Sequence, residues 1–269
     1  ANIISSPLVK DQLAIDISQI SADTKDKGEV IEDEKWQQIL GEAIDELKAG
    51  DTKVVTLSDE GEDKKENSYH ISKHGLETLD RFSEFFDGLS PEHQELAKIY
   101  INNPKQVGEL AAVFHDYGHS GKGYREKDTD QGKMDKLTNE ELAALKADEF
   151  AKDKGFTINQ RIKLRGLIIG TTFRPGMGPK SGVEKIMDLA DMGGYTKGFE
   201  EWVKESSKVM YEFLRDPSQK NLPNDSKEWL KWVQGFLGYV RGLLNDTPIV
   251  GDIKKQWDSK LTDIEDRVK

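Results

Sequence analysis

The chain has 269 residues, a formal net charge of −11 and 33% charged residues. This length can bury a sizeable core and fits one large domain or two small ones, and we expect one. The acidic balance argues against binding to a nucleic-acid backbone, which needs clustered Lys and Arg, but it is compatible with a small nucleotide in a local pocket. Because the sequence has no cysteine, disulfides, thiolate zinc sites and cysteine nucleophiles are excluded, and any metal must be bound by nitrogen and oxygen.

The sequence contains neither a run of eighteen apolar residues nor the basic and apolar stretches of a signal peptide at its start, ANIISSPLVKDQ. We therefore expect no membrane association and a cytoplasmic protein, with export after removal of a signal peptide left open. The oligomeric state is also left open.

The first part of the chain predicts an extension followed by a helical domain. Residues 1–32 mix a few apolar positions with the charged stretch DTKDKGEVIEDE, and residues 33–269 form the expected domain. Apolar residues recur at helical spacing from Trp36, and Gly50 is a plausible end of that helix. Residues 53–57, KVVTL, have the composition of a short strand.

The middle of the chain predicts three helices and a long loop. Residues 69–86 have the apolar spacing of an amphipathic helix. Ser90 and Pro91 are typical of a helix start, and that helix is expected to run to residue 102. Residues 110–119, LAAVFHDYGH, form an apolar helical segment, and the glycine-rich, charged residues 120–137 form a loop that could lie over a site.

The remainder of the chain is also predicted to be helical. Thr138 and Thr157 are suitable caps for the next two helices, and a glycine-containing loop covers residues 174–182. Neither βαβ alternation nor a glycine-rich phosphate loop occurs, so the predicted fold class is all-α. Four further helices are expected over residues 183–193, 196–214, 227–245 and 251–266.

Histidines are concentrated in two of the predicted helices. Four of the five form pairs four residues apart, His70 with His74 and His115 with His119. In a helix such pairs share one face. Asp116 directly follows His115, so an imidazole and a carboxylate come from the end of one apolar helix, a combination that divalent metals favour.

A third acidic segment lies in an apolar stretch, IMDLADMGGY, which contains Asp188 and Asp191. Unpaired carboxylates are costly to bury there, and a bound cation would remove that cost. The sequence alone leaves either aspartate as the ligand.

Three segments together, YHISKH, AAVFHDYGH and DLADMGGY, which follows some seventy residues later, resemble the H…HD…D signature of the HD superfamily of metal-dependent phosphohydrolases. The resemblance covers about residues 66–200 and is closest to the cyclic-nucleotide phosphodiesterases, whose final ligand helix is similar to DMGGYTKGF. It implies a helical HD-type bundle. It also implies hydrolysis of a phosphoester, in particular a phosphodiester of a (cyclic) nucleotide, by a metal-activated water.

The resemblance assigns roles to individual residues. It implies two divalent ions (Zn, Mn, Mg or Fe), and Asp116 would bridge them. His70 would be the general acid, and His119 would lie beside the second ion. One more carboxylate would hold the water, for which we favour Glu141. The implied metal ligands are His74, His115, Asp116 and Asp191, with Asp188 as the alternative to Asp191 and with Glu140 and Glu149 as alternatives to Glu141.

Substrate contacts are expected from the two glycine-containing loops and from a late helix. Gln234 and Phe236 are candidates for binding a base, although their spacing is one residue shorter than in the cyclic-nucleotide group. The tryptophan stripe over residues 229–240 is interpreted as core, with pocket wall as the alternative. The candidate phosphate-binding residues are Arg125, Arg174 and Lys180.

Two other functions remain open at this point. One is a phosphomonoesterase acting on nucleotides, and the other is a regulatory module that binds a metal or nucleotide without turnover. His70 favours catalysis, because a non-catalytic module has no chemical need for a general acid that does not bind the metal.

Overall fold

The computed structural model describes residues 28–56, 71–99, 101–119, 125–128, 134–172, 181–215 and 225–269. In these ranges the chain is predominantly helical, which confirms the all-α prediction, and one short antiparallel hairpin is added. The helices are α1 Asp33–Thr56, α2 Ser72–Asp87, α3 Pro91–Ala97, α4 Pro104–Phe114, α5 Asn139–Asp153, α6 Ile158–Gly170, α7 Gly182–Asp191, α8 Phe199–Arg215, α9 Ser226–Asp246 and α10 Asp252–Val268. A 3₁₀ helix spans Gly193–Lys197, and the hairpin consists of β1 Arg125–Asp128 and β2 Met134–Leu137.

Helix α4 lies at the centre of the fold. Its sequence, PKQVGELAAVF, is apolar on nearly every face, and nine of its eleven residues are buried. A helix of this kind needs neighbours on all sides, and α4 packs against α1, α2, α5, α6 and α7. The segment that follows α4 is therefore held inside the bundle.

Three helices begin with a capping box, in which a hydroxyl and a carboxyl or amide side chain satisfy backbone N–H groups reciprocally. Two of these starts, at Thr138 and Thr157, are those predicted from the sequence. The boxes pair Thr138 with Glu141, Thr157 with Gln160, and Ser181 with Glu184.

Two predicted boundaries near the start of the domain are wrong. Helix α1 continues through Gly50 to Thr56, so residues 53–56 are helical and not part of a strand. A glycine inside a helix costs only about 1 kcal/mol, whereas a short strand needs a partner strand for its hydrogen bonds. The helix that begins at Pro91 ends at Ala97 instead of reaching residue 102.

The segment expected to be a loop over residues 120–137 contains the β1–β2 hairpin, in which Arg125 pairs with Leu137 and Asp128 with Met134. Residues 1–27 of the predicted extension lie outside the described residues. Its last residues pack on the domain, where Asn102 Nδ2 donates to the Gly28 carbonyl at 2.6 Å. Within the described ranges, no helix is long and apolar enough to cross a membrane.

Candidate metal centre

Four predicted ligands come from the ends of three helices. His74 lies in the first turn of α2, His115 and Asp116 follow α4 directly, and Asp191 is the last residue of α7. One ligand atom from each lies within 4.8 Å of those of the other three. This convergence confirms the predicted grouping, and we call these four residues the His–Asp cluster.

The route by which His74 reaches the cluster differs from the prediction. Helix α2 begins at Ser72, and Ile71 has extended backbone angles, φ −127° and ψ 168°. His70 lies outside the described residues. The helix predicted over residues 69–86 therefore begins later than expected, at Ser72.

His115 and His119 do not form the predicted pair on one helix. Helix α4 ends at Phe114, and the following turn is closed by a hydrogen bond from the His119 N–H to the Asp116 carbonyl at 3.0 Å. His115 Nδ1 donates to the Ala112 carbonyl at 2.8 Å. This bond fixes the imidazole ring, because a carbonyl oxygen can only accept, and it directs Nε2 into the cluster.

The distances within the cluster are those between neighbouring donors around one cation. Asp191 Oδ1 lies 3.0 Å from His74 Nε2 and 3.2 Å from His115 Nε2. Asp116 Oδ2 lies 3.5 Å and 3.2 Å from the same two nitrogens. Metal–ligand bonds of about 2.0–2.2 Å place adjacent donors about 3.0–3.5 Å apart. The four donors can therefore surround a single divalent ion with little movement.

Electrostatics in the cluster also favour a cation. Burial lowers the pKa of His74 more than its acidic neighbours raise it, which favours the neutral imidazole that a metal needs. Burial acts in the same direction on His115, but Asp116 and Asp191 outweigh it and raise the His115 pKa well above its usual value. Burial would raise the pKa of Asp191, yet His115 and His74 hold it below the usual range. Two carboxylates thus face a single histidine with a raised pKa.

One buried atom supports the fit of a metal directly. His115 is 1% exposed, and among the described residues no atom is placed to form a hydrogen bond with its Nε2. The nearest carboxylate oxygens, of Asp116 and Asp191, each lie 3.2 Å away. Buried polar atoms are rarely left unsatisfied. A cation bound by Nε2 and the two carboxylates would satisfy the nitrogen and neutralise the carboxylates.

Asp191 is held in place by a buried arginine of α2. Arg81 Nε donates to the Ala190 carbonyl at 2.6 Å, and its terminal nitrogen donates to Thr78 Oγ1 at 3.2 Å. Carbonyls at a helix C-terminus lack partners within the helix and favour a cation. The guanidinium therefore caps α7 one residue before Asp191. Gly193 leaves the space for it, because a Cβ there would lie 2.2 Å from Arg81 Nε.

The choice between the two aspartates of α7 is decided by the fold. Asp191 belongs to the His–Asp cluster, whereas Asp188, one turn earlier and 4% exposed, does not. Asp188 instead lines an adjacent cavity together with Asp191.

The structure distinguishes the glutamates that the sequence offers for the additional carboxylate, among which Glu141 was favoured. The Glu141 carboxylate accepts a hydrogen bond from the Thr138 N–H at 2.8 Å and completes the capping box. Burial, followed by the charges of Asp116 and Asp191, raises the pKa of Glu140, which places it in electrostatic range of the cluster. Glu149 is exposed. The sequence could not separate adjacent glutamates of one helix turn.

A cavity of about 370 Å³ adjoins the cluster through Asp191. It lies between the C-terminal ends of α6 and α7 and the helices α8 and α9. We call it the aromatic cavity, and its main apolar walls are Trp202, Val203, Met210, Trp229, Trp232 and Phe236. The tryptophan stripe interpreted as core is therefore divided along α9. Trp229, Trp232 and Phe236 line the cavity, whereas Leu237 and Val240 of the stripe are buried core, as is Leu244 after it.

Of the two residues predicted to bind a base, only one lines the aromatic cavity. Phe236 lines the aromatic cavity, but Gln234 is exposed and its amide donates to the Val268 carbonyl at 3.2 Å. The structure thus does not bring Gln234 to the cavity. Arg125 lies in β1, with its side chain outside the described part of the structure, and Arg174 and Lys180 lie wholly outside it.

In comparisons with known proteins, no family model and no curated protein matches the chain.

Proposed function

We propose that this chain is a metal-dependent phosphohydrolase, which cleaves a phosphoester with water at the His–Asp cluster. The observation that carries the proposal is the convergence of four side chains from three separate helix ends, in the order that the resemblance implies. Two imidazoles and two carboxylates are a donor set that suits Zn, Mn, Fe and, less well, Mg. A phosphodiester, including a cyclic nucleotide, is the first substrate class to test.

A bound divalent pair would neutralise phosphoryl oxygens and lower the pKa of water. The residues of the chain have supporting tasks. Asp116, between the two imidazoles, is proposed to bridge the ions. Glu140 is proposed to hold the attacking water, since it is near the cluster and Glu141 is engaged in its capping box. Asp191 is oriented by the bond from Arg81 to the preceding carbonyl.

Proton balance requires a donor for the leaving group. The attacking water releases one proton to solvent as its oxygen forms a bond to phosphorus, the phosphorus–ester oxygen bond breaks, and the departing oxygen takes up a proton. His70 is proposed as the donor, as the resemblance implies. His119 is proposed to lie beside the second ion, since the turn after α4 keeps it close to Asp116.

The direct test is turnover by protein stripped of metal and then reloaded with Mn, Zn, Mg or Fe(II). We expect metal-dependent hydrolysis of bis(p-nitrophenyl) phosphate and of cyclic or linear nucleotide diesters. Hydrolysis of p-nitrophenyl phosphate alone would instead indicate a phosphomonoesterase. Stoichiometric metal binding without turnover of any ester would indicate the regulatory module, and the proposed hydrolysis would then be wrong.

The role of His70 is tested by His70→Ala. Metal content, measured by elemental analysis, should stay unchanged. Hydrolysis of an ester with a poor alkoxide leaving group should fall by about 10²- to 10⁴-fold, the usual contribution of a general acid, while an activated aryl ester should lose much less. The matched control is His93→Ala, because His93 bonds to Ser90 Oγ at the start of α3, outside the cluster.

Equal losses on both esters would contradict the proton-donor role. Loss of metal from the His70→Ala protein would make His70 a ligand instead.

A further inference from the structure

The aromatic cavity has both charged and apolar walls. The carboxylates Asp188 and Asp191 line it, and Asp191 is shared with the His–Asp cluster. Val203 and Trp232, which are 40% and 41% exposed, also line the cavity. A ligand that spans the cavity would thus have a charged group at the cluster and an apolar group between the indole rings.

Several polar side chains in the cavity wall are already bonded to their own helices. Ser207 Oγ donates to the Val203 carbonyl at 2.7 Å, and Thr171 Oγ1 donates to the Ile168 carbonyl at 2.7 Å. Glu205 accepts from Lys208 Nζ at 3.1 Å. These groups have satisfied part of their hydrogen-bonding capacity within the fold, so they are less suited to recognise a polar ligand.

The aromatic rings also pack against each other. Trp232 stacks on Phe236 with 6.0 Å between ring centroids and 7° between ring planes, and Trp229 contacts Trp232 edge-on at 5.7 Å. Gln234, the amide of this helix that could have recognised a base, bonds to Val268 on another face. A nucleobase placed among these rings would lose water from its polar edge without a matching partner from Gln234, which is unfavourable.

We infer that the aromatic cavity binds an alkyl substituent of the substrate, so that the preferred substrate is a phosphoester with its phosphate at the His–Asp cluster and a hydrocarbon chain between α8 and α9. This inference rests on the proposed function and specifies its substrate class. A volume of about 370 Å³ falls within the usual range of small-molecule sites, about 300–1,000 Å³.

The experiment is a chain-length series of p-nitrophenyl alkyl phosphodiesters, from methyl through butyl to octyl, with the leaving group held constant. Each methylene that enters the cavity should raise kcat/KM about fourfold, mainly through KM, until the cavity is filled. The p-nitrophenyl ester of thymidine 5′-phosphate should be a poorer substrate than the octyl ester. A flat chain-length series, or a preference for the thymidine ester, would overturn the inference.

A matched pair of variants on α9 assigns the effect to the cavity. Trp232→Ala removes a cavity wall and should reduce the octyl-to-methyl ratio by about tenfold or more, since several methylenes lose their contact. Leu230→Ala is the control, because Leu230 is 43% exposed on the same helix and does not line the cavity. An equal fall in both variants would contradict the assignment.

Failure of the substrate inference can be separated from failure of the proposed function. If no ester is hydrolysed with any metal, the affinity of methyl-, butyl- and octylphosphonate is measured by tryptophan fluorescence. An affinity that rises about fourfold per methylene would support the alkyl site without turnover. An affinity independent of chain length would overturn it.

Discussion

Asp191→Asn tests the His–Asp cluster most sharply, because it keeps the size of the side chain and removes the charge. In the protein, Asp191 Oδ1 lies 3.0 Å from His74 Nε2 and 3.2 Å from His115 Nε2. An amide is a far weaker ligand for a divalent ion than a carboxylate, and its NH₂ group cannot bind the ion at all. The variant should therefore lose metal affinity while the fold is retained.

The magnitude follows from linkage between binding and folding. At a metal concentration about 100 times Kd, binding to the folded state alone adds about 2.7 kcal/mol to the free energy of unfolding. For a chain of this size each kcal/mol raises Tm by about 2–4 °C, so the metal should raise Tm by about 5–10 °C. A 100-fold loss of affinity, at the upper end of what altered metal surroundings cause, leaves about 0.4 kcal/mol. The metal-induced rise should then fall below about 2 °C.

The assay is differential scanning calorimetry of tag-free protein with and without metal. The measured quantity is the rise in Tm on adding metal, because the substitution also removes the charge pair between Asp191 and His115 and lowers the metal-free Tm by itself. Asp188→Asn is the matched control, since it makes the same change one turn earlier on α7, outside the cluster. Its metal-induced rise should equal that of the unmodified protein.

Two results would refute this reasoning. If Asp191→Asn keeps the full metal-induced rise, Asp191 is not a ligand. If Asp188→Asn loses the rise and Asp191→Asn keeps it, the ligand is Asp188, the alternative that the sequence left open.

Two glycines at close helix contacts give further predictions. Gly108→Ala would place a Cβ 2.0 Å from Cζ of the fully buried Phe82, so urea denaturation should show that the free energy of unfolding falls by about 1–3 kcal/mol. Helix propensity alone predicts that this free energy rises by about 1 kcal/mol. A measured rise would contradict the close contact with Phe82. Gly193→Ala would displace Arg81 from the Ala190 carbonyl, so we expect both a lower Tm, by about 2–10 °C, and a smaller metal-induced rise. If the metal-induced rise is unchanged, Arg81 has only a structural role.

The sequence by itself determined the helical class and many helix starts. Apolar residues at helical spacing and hydroxyl caps such as Thr138 and Thr157 act within one or two turns, so they can be read without tertiary information. The residue types of the His–Asp cluster were also predictable, because imidazoles and carboxylates in apolar segments such as AAVFHD and IMDLAD are costly without a cation, and their order was implied by the resemblance.

Helix boundaries at the site could not be predicted from spacing. The sequence around His115 continues an apolar helical pattern, but the chain leaves the helix after Phe114, and the ring of His115 bonds back to the Ala112 carbonyl. Likewise α2 begins at Ser72, three residues later than the sequence pattern predicts. Local spacing does not specify where a helix end meets a neighbouring helix.

Only the tertiary structure decided between chemically equivalent neighbours. Asp191 and not Asp188 meets the two histidines, because Arg81 holds the end of α7 against α2. Of the adjacent glutamates, Glu141 completes the capping box of α5, whereas burial and the charges of Asp116 and Asp191 raise the pKa of Glu140. The tryptophans of α9 became cavity wall instead of core for a similar reason. A sequence pattern reports which face of a helix is apolar, whereas the packing of other helices decides whether that face is filled by protein or left open for a ligand.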